Sequence, residues 1–357
     1  MIRCRSLAIA LFVASALVIG PAQSRALGRN YEVRQVGPHA FVWVPDDIMD
    51  QSGDPYFNRA GNVGFVITPE GVVVINTTDN PTHAREVLYE IRQRTDVPVR
   101  LVIDLGSEGD QVLGNEVFAE QRATIVSSTL AASGMRAYQA GFARRFLYDP
   151  ELPSRMRGIH FAFPEQTFSG QTSYDVGGTQ IRATVLNCGP EGRATGDAVV
   201  YLPQEKVLFL GDLYVKGFVP QVNGRDVERW VSALEELRNW DVTTYVPGHG
   251  APGTRRDLGN FAGFLEWLRG GVESGIRQGK SLEQVQDHLL SSSAFNLLAL
   301  DLAPRAIAEV YRQVTSKSAH VLPSRGTRPP GPHSREGLPL PPPGGPGFTT
   351  RQVPVPR

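Results

Sequence analysis

"VIDLGSEGDQVLGNEVF", Val102–Phe118, opens with apolar residues that read as the end of a buried strand. It then passes through Gly106-Ser107-Glu108-Gly109-Asp110-Gln111 and leaves through Gly114-Asn115 into a new element. Loops at strand ends are where α/β proteins assemble their sites. This one has the shape of a metal-binding loop but holds no histidine. Three readings stay open: a metal site that lost its ligands, a site built from other ligands, or a turn.

Upstream, "NVGFVITPEGVVVINTT" is two apolar runs around Pro69-Glu70-Gly71, a hairpin with a short turn. Asn80-Pro81 then supplies an N-cap and a first-turn proline. Ala84, Val87, Leu88 and Ile91 fall on one helical face. "VPVRLVIDL" is the buried strand that feeds the opening loop, and a second βα-like unit follows through Asn115–Gln121 and "ATIVSS". From Tyr174 the pattern turns to strands: "SYDVGG", "TQIRATVLN", "DAVVYLP" and "KVLFLGD". Arg225–Trp240 reads as a helix, "VTTYVPGHG" as strand and loop, and Asp257–Ser274, Ser281–Leu290 and Pro304–Gln313 as helices. Strands with helices between and after them predict an α/β sandwich.

The chain's ends read differently. "MIRCRSLAIALFVASALVIGPAQSRA" has a basic start and an apolar run from Leu7 to Gly20, with small-x-small sites at Ala22-Gln23-Ser24 and Ser24-Arg25-Ala26. That run is short for a membrane span and fits a cleaved signal peptide over residues 1–26. A periplasmic or secreted protein, with no span left after cleavage, is the expectation. Removing three arginines and no acids leaves 33 basic against 36 acidic residues. This balance offers no basic surface for nucleic acid. Cys4 lies in the leader, so Cys188 alone remains and no intramolecular disulfide forms. The domain is placed at 27–320. Residues 321–357 carry 11 of the 27 prolines without apolar periodicity and read as a disordered tail.

Four loops line up after strands: Gly106–Gln111, Gly189–Asp197, Leu210-Gly211-Asp212 and Pro247-Gly248-His249-Gly250. Their order and framing, from about Arg34 to Gln313, resemble the metallo-β-lactamase fold superfamily. "GNVGFVITPEGVVVINT" is similar to that family's opening hairpin, "LFLGDL" and "VPGHG" to its fourth and fifth motifs, and "GRATGDAVVYLP" to its third. The resemblance implies a four-layer αββα sandwich with C-terminal helices. In the family, His-x-His-x-Asp-His and further ligands hold two zinc ions. Setting Asp110 on the family aspartate puts Gly106, Glu108 and Gln111 at histidine positions, Arg193 at a third-motif histidine and Asn76 at a supporting aspartate. Asp110, Asp212 and His249 match.

Glycine offers no ligand and a guanidinium has no lone pair for a metal. One zinc centre is therefore excluded. Asp110, Asp212 and His249 still suit at most one divalent ion, Zn, Mn or Fe. Glu108, Asp110 and Arg193 are the candidate catalytic residues, with Arg193 set to neutralise Glu108, Asp110 and Asp212 in a metal-free pocket. Cys188 reads as a small buried thiol, and Asp197 as a turn residue. The expected function is a non-catalytic or altered homologue that binds a small molecule or a periplasmic protein partner in the cleft, with no cofactor. The alternatives are a single-metal hydrolase and an accessory protein of a sulfur-oxidation or quinoprotein system.

Overall fold

The computed structural model describes residues 30–46, 60–148, 159–190, 195–292, 294, 297 and 302–321. The leader, the proline-rich tail and Arg193 lie outside the described residues.

Two sheets face each other. The first runs β1 (Tyr31–Gln35), β2 (Ala40–Pro45), β3 (Val63–Thr68), β4 (Gly71–Ile75), β5 (Val99–Asp104), β6 (Thr124–Ser128) and β7 (Gln166–Phe168), in sequence order. It is antiparallel through β4 and parallel from there on. The second has the order β12-β11-β10-β9-β8, built from β8 (Gln171–Val176), β9 (Thr179–Val185), β10 (Ala198–Leu202), β11 (Val207–Phe209) and β12 (Thr244–Val246). Only its β11–β12 pair is parallel.

Strand alternation assigns the layers. Val73 and Ile75 of β4 face the space between the sheets with Val200 and Phe209, whereas Val72 and Val74 face outward. The inner layer is tight. A side chain at Gly64 of β3 would collide with the Phe209 ring, so a glycine is required there. On the outer face of the first sheet lie α1 (Pro81–Arg92) and the helix Asn115–Glu120, which bury Ala84, Val87, Ile91, Val117 and Phe118 against Trp43, Phe65 and Val102. The outer face of the second sheet is covered by α5 (Val227–Leu237), α6 (Arg255–Arg277), α7 (Leu282–Leu290) and α8 (Ala303–Val321). For order, the short helix Gly109–Val112 is α2, Asn115–Glu120 is α3 and Thr129–Tyr148 is α4. The result is an αββα sandwich. Each fully buried Val, Leu or Phe in these layers contributes about 1.5–3 kcal/mol.

Local signals explain the helix starts. The Asn80 side chain accepts from His83 N at 2.9 Å, with Pro81 in the first turn. Capping boxes open α6, from Thr254 and Asp257, and α7, from Ser281 and Gln284. The strands β1, β2 and β7 and the short helix α2 were not read from the sequence, and two longer helices exceed the sequence reading. α4 has no clear apolar face and carries Gly134 and Gly141, so periodicity misses it. α8 runs eight residues past Gln313 to Val321. There Thr315 and Ser316 return hydroxyl hydrogen bonds to Tyr311 and Arg312 carbonyls, a helical pattern without apolar spacing. No helix among the described residues is long and apolar enough to cross a membrane.

Candidate functional site

The described parts of the four loops meet at one end of the sandwich. After β5 the chain turns through Leu105–Glu108 into α2 (Gly109–Val112). Asn76, held at φ 61°, supports this turn from behind. Its Oδ1 accepts from Leu105 N at 2.8 Å, and its Nδ2 donates to Gln111 Oε1 at 3.3 Å. Gly61 N donates to Asp110 O and Thr77 N to Gln111 O, so the backbone around Asp110 is pinned on two sides.

The His249 loop is pinned as firmly. Asn62 Nδ2 donates to the carbonyls of Pro247 and Gly250 at 2.9 and 2.8 Å. Gly248 N donates to both Gly211 O and Tyr214 O. A side chain at Gly248 would strike Asp212 Oδ1, and Gly250 sits at φ 87° against the Lys216 carbonyl. The Pro-Gly-His-Gly run is thus what lets His249 approach the aspartates.

Asp110, Asp212 and His249 come together, each offering one ligand atom, with all three atoms within 4.8 Å of one another. His249 Nε2 lies 2.8 Å from Asp110 Oδ2 and 3.6 Å from Asp212 Oδ1. Asp212 is buried, and its Oδ1 has no hydrogen-bond partner among the described residues. An unpartnered buried carboxylate oxygen is costly, and a cation between these three groups removes that cost. The donor set of two carboxylates and one imidazole fits one divalent ion of the Mn, Fe or Zn kind. Burial, then the neighbouring Asp110 charge, pushes the Asp212 carboxyl up to about 6, while His249 and Arg225 pull it back.

Glu108 and Gly106 lie next along the same loop. Glu108 Oε2 accepts from Ser107 N at 2.9 Å. A side chain built on Gly106 would collide with that oxygen. The space beside Gly106 therefore belongs to the Glu108 carboxylate, and an imidazole at position 106 has no room until Glu108 moves. Burial, with the Asp197, Asp212 and Asp110 charges, raises the Glu108 carboxyl to about 7, against the pull of Arg225.

A fourth acid and a guanidinium complete the cluster. Asp197, read from sequence as a turn residue, is 7 % exposed and forms a two-pronged pair with Arg225. Nη2 donates to Oδ1 at 2.7 Å and Nε to Oδ2 at 3.1 Å. Arg225, 4 % exposed, was legible only as the start of a helix. One signal could have found it: an arginine just before the N-cap Asp226 sits where the helix dipole disfavours a cation, so its charge has business elsewhere. Burial and Asp197 together raise the Cys188 thiol to about 12, a protonated, inert sulfur.

The topology and the loop placement decide the fold. A metallo-β-lactamase from Pontibacter korlensis superposes with a TM-score of 0.52 at 23% identity, over 66% of this chain and 99% of that one. The chain has the metallo-β-lactamase fold. A double mutant of a sec-alkyl sulfatase superposes on this metallo-β-lactamase fold with a TM-score of 0.58 at 17% identity, over 83% of this chain and 52% of the sulfatase. The linear primary-alkylsulfatase of a Pseudomonas species is 22% identical over 228 residues, 54% of this chain. That match spans 42% of the alkylsulfatase's length. No family model matches the sequence.

Proposed function

We propose that this protein is a hydrolase of the metallo-β-lactamase fold that works with one divalent metal ion, held by Asp110, Asp212 and His249. The observation that carries the reading is the convergence of these three side chains around a buried Asp212 oxygen that has no hydrogen-bond partner among the described residues. When bound, such an ion supplies Lewis-acid polarisation and activates water. The chain's own residues do the rest. Asp110, Asp212 and His249 fix the ion, Asn76 and Asn62 fix their loops, and Glu108 stands beside them as the group to take up or deliver a proton. An ester with an anionic leaving group suits this arrangement. Sulfate esters are the class to try first, because two relatives are alkylsulfatases.

The test is turnover. The protein, stripped by chelator and reloaded with Mn²⁺, Fe²⁺ or Zn²⁺, is assayed on short- and long-chain alkyl sulfates. Turnover should depend on the added metal and vanish in folded Asp212→Asn and His249→Ala variants. Absence of turnover with all three metals would instead favour a second reading. In that reading the cleft is non-catalytic and binds a small molecule or a periplasmic partner. The 2.8 Å contact between His249 and Asp110 supports it, because it already joins two of the ligands to each other.

We also infer export with cleavage near Ser24 or Ala26, from the Leu7–Gly20 run. Mass spectrometry of protein from the native host should show that new N-terminus; an intact Met1 form would argue against it.

A further inference from the structure

Asp110 sits in α2, a single helical turn of four residues. One turn does not hold its own shape in water, so its position is set from outside. The grip comes from the β4–α1 loop, Asn76–Asn80, whose five residues are all buried. Thr77 N donates to Gln111 O at 2.6 Å, and Thr78 forms a parallel bridge with Val112. A side chain at Gly114 would strike the Thr77 carbonyl, so the loop and the end of α2 are in direct contact. That grip is held under strain. Asn76 and Thr78, on either side of Thr77, sit at φ 61° and 68°. A β-branched residue in that region is a genuine outlier, and it persists only where the surroundings over-determine it. Asn115, the first residue of α3, supplies that determination. Its Nδ2 donates to Asp104 Oδ2 at 2.8 Å and to Ala162 O at 3.2 Å. Its Oδ1 is left for Thr77, whose hydroxyl donates to it at 2.7 Å. Thr77, Asn115 and Asp104 are at most 1 % exposed, so a lost bond leaves a buried polar atom unpaired. The Thr77 side chain thus ties the strained loop to the end of β5, while its main chain ties it to α2. Asp110 Oδ2 in turn meets His249 Nε2 at 2.8 Å.

We propose that Thr77 is a positioning residue: bonded to Asn115, it locks the β4–α1 loop and so sets where Asp110 stands relative to His249. Its effect on metal binding rests on the one-ion reading. Its effect on the contact between Asp110 and His249 does not, so the two can fail separately.

Chelator-stripped protein labelled with ¹⁵N-histidine is compared with Thr77→Val, Thr77→Ser and Thr68→Val at one fixed pH. Thr77→Val keeps the shape and loses the donor, and Thr77→Ser keeps the donor. Thr68→Val removes another buried hydroxyl, the one that donates to Gly71 O at 2.7 Å at the far end of β4. The His249 ring-nitrogen signals, assigned with His249→Ala, should move in Thr77→Val toward their position in Asp110→Asn. They should stay near the parent's in Thr77→Ser and Thr68→Val. Binding of Zn²⁺ and Mn²⁺, measured by calorimetry, should weaken roughly 10–100-fold in Thr77→Val, the range for lost outer partners of metal ligands, and hold in the other two. Thr68→Val should still melt lower than the parent, which separates stability from positioning. Unmoved His249 signals in Thr77→Val overturn the proposal whatever the melting temperature does. So does the same shift in Thr68→Val, or no rescue by serine. A parent that binds neither metal contradicts the one-ion reading, and the His249 signals then decide alone. Signals that move while the affinity of a metal-binding parent holds uphold the role of Thr77 and contradict Asp110 and His249 as the ligands. If Thr77→Val does not fold, Thr77→Cys, similar in size with a weaker donor, takes its place under the same outcomes.

Discussion

Asp104→Asn isolates one buried acid behind the site. Asp104 ends β5 with no exposed surface. Its Oδ2 accepts from Asn115 Nδ2 at 2.8 Å, and its Oδ1 has no partner among the described residues. Burial lifts its carboxyl from the ordinary 3.8 to about 8, with the Asn115 hydrogen bond pulling the other way. The sign follows from linkage. The folded state binds the proton more tightly than the unfolded chain, so this group's stabilisation is complete below about pH 4 and is lost as pH rises through about 8. At about 1.4 kcal/mol per pKa unit, a gap of roughly four units caps the loss on the order of 5 kcal/mol. Asparagine keeps the shape and the acceptor for Asn115 but leaves an amide donor unpartnered, at about 1–3 kcal/mol. The net gain from Asp104→Asn at pH 9 is then about 2–4 kcal/mol, falling to nothing or a small loss at pH 5. For a chain of this size that is roughly 4–16 °C in melting temperature at the alkaline end. Thermal melts of parent and variant from pH 5 to 9 measure it. Curves that stay parallel over that range would show that Asp104 holds no extra proton and that its pocket is wetter than the packing indicates.

Two further outcomes follow from the same packing. Asn76→Ala removes the acceptor for Leu105 N and puts alanine at φ 61°; it should cost about 2–4 kcal/mol in urea unfolding, from strain and an unpaired amide together, whereas Asn76→Gly should recover the strain part. Truncation after Val321, where α8 ends, should leave the melting temperature within a few degrees, because the proline-rich stretch carries no core pattern; a drop of about 10 °C would mean that it packs on the domain.

Much of the fold was legible because its signals are local. The 3.6-residue spacing of Ala84, Val87 and Ile91 and the Asn80-Pro81 start locate α1. The paired runs around Pro69-Glu70 locate the β3–β4 hairpin. The Pro-Gly-His-Gly run marks a loop whose glycines are explained by Asp212 and Lys216 pressing on them. What stayed hidden was long-range. Nothing near Asp197 in sequence announces its pairing with Arg225, 28 residues on. Asn62 reaches across 185 residues to the Pro247 carbonyl, and no periodicity encodes that contact. The expected role of Arg193 lies outside the described residues, and among those described the guanidinium in the acid cluster is that of Arg225.

The count of metal ions in the purified protein tests the central claim most directly. Protein grown with Mn, Fe and Zn available is desalted and analysed by inductively coupled plasma mass spectrometry, beside Asp212→Asn and His249→Ala. The account predicts about one divalent ion per parent chain and little or none in either folded variant, because each removes one of only three ligands. An ion-free parent that stays ion-free after incubation with each metal, or two ions retained with His249 replaced, would contradict it.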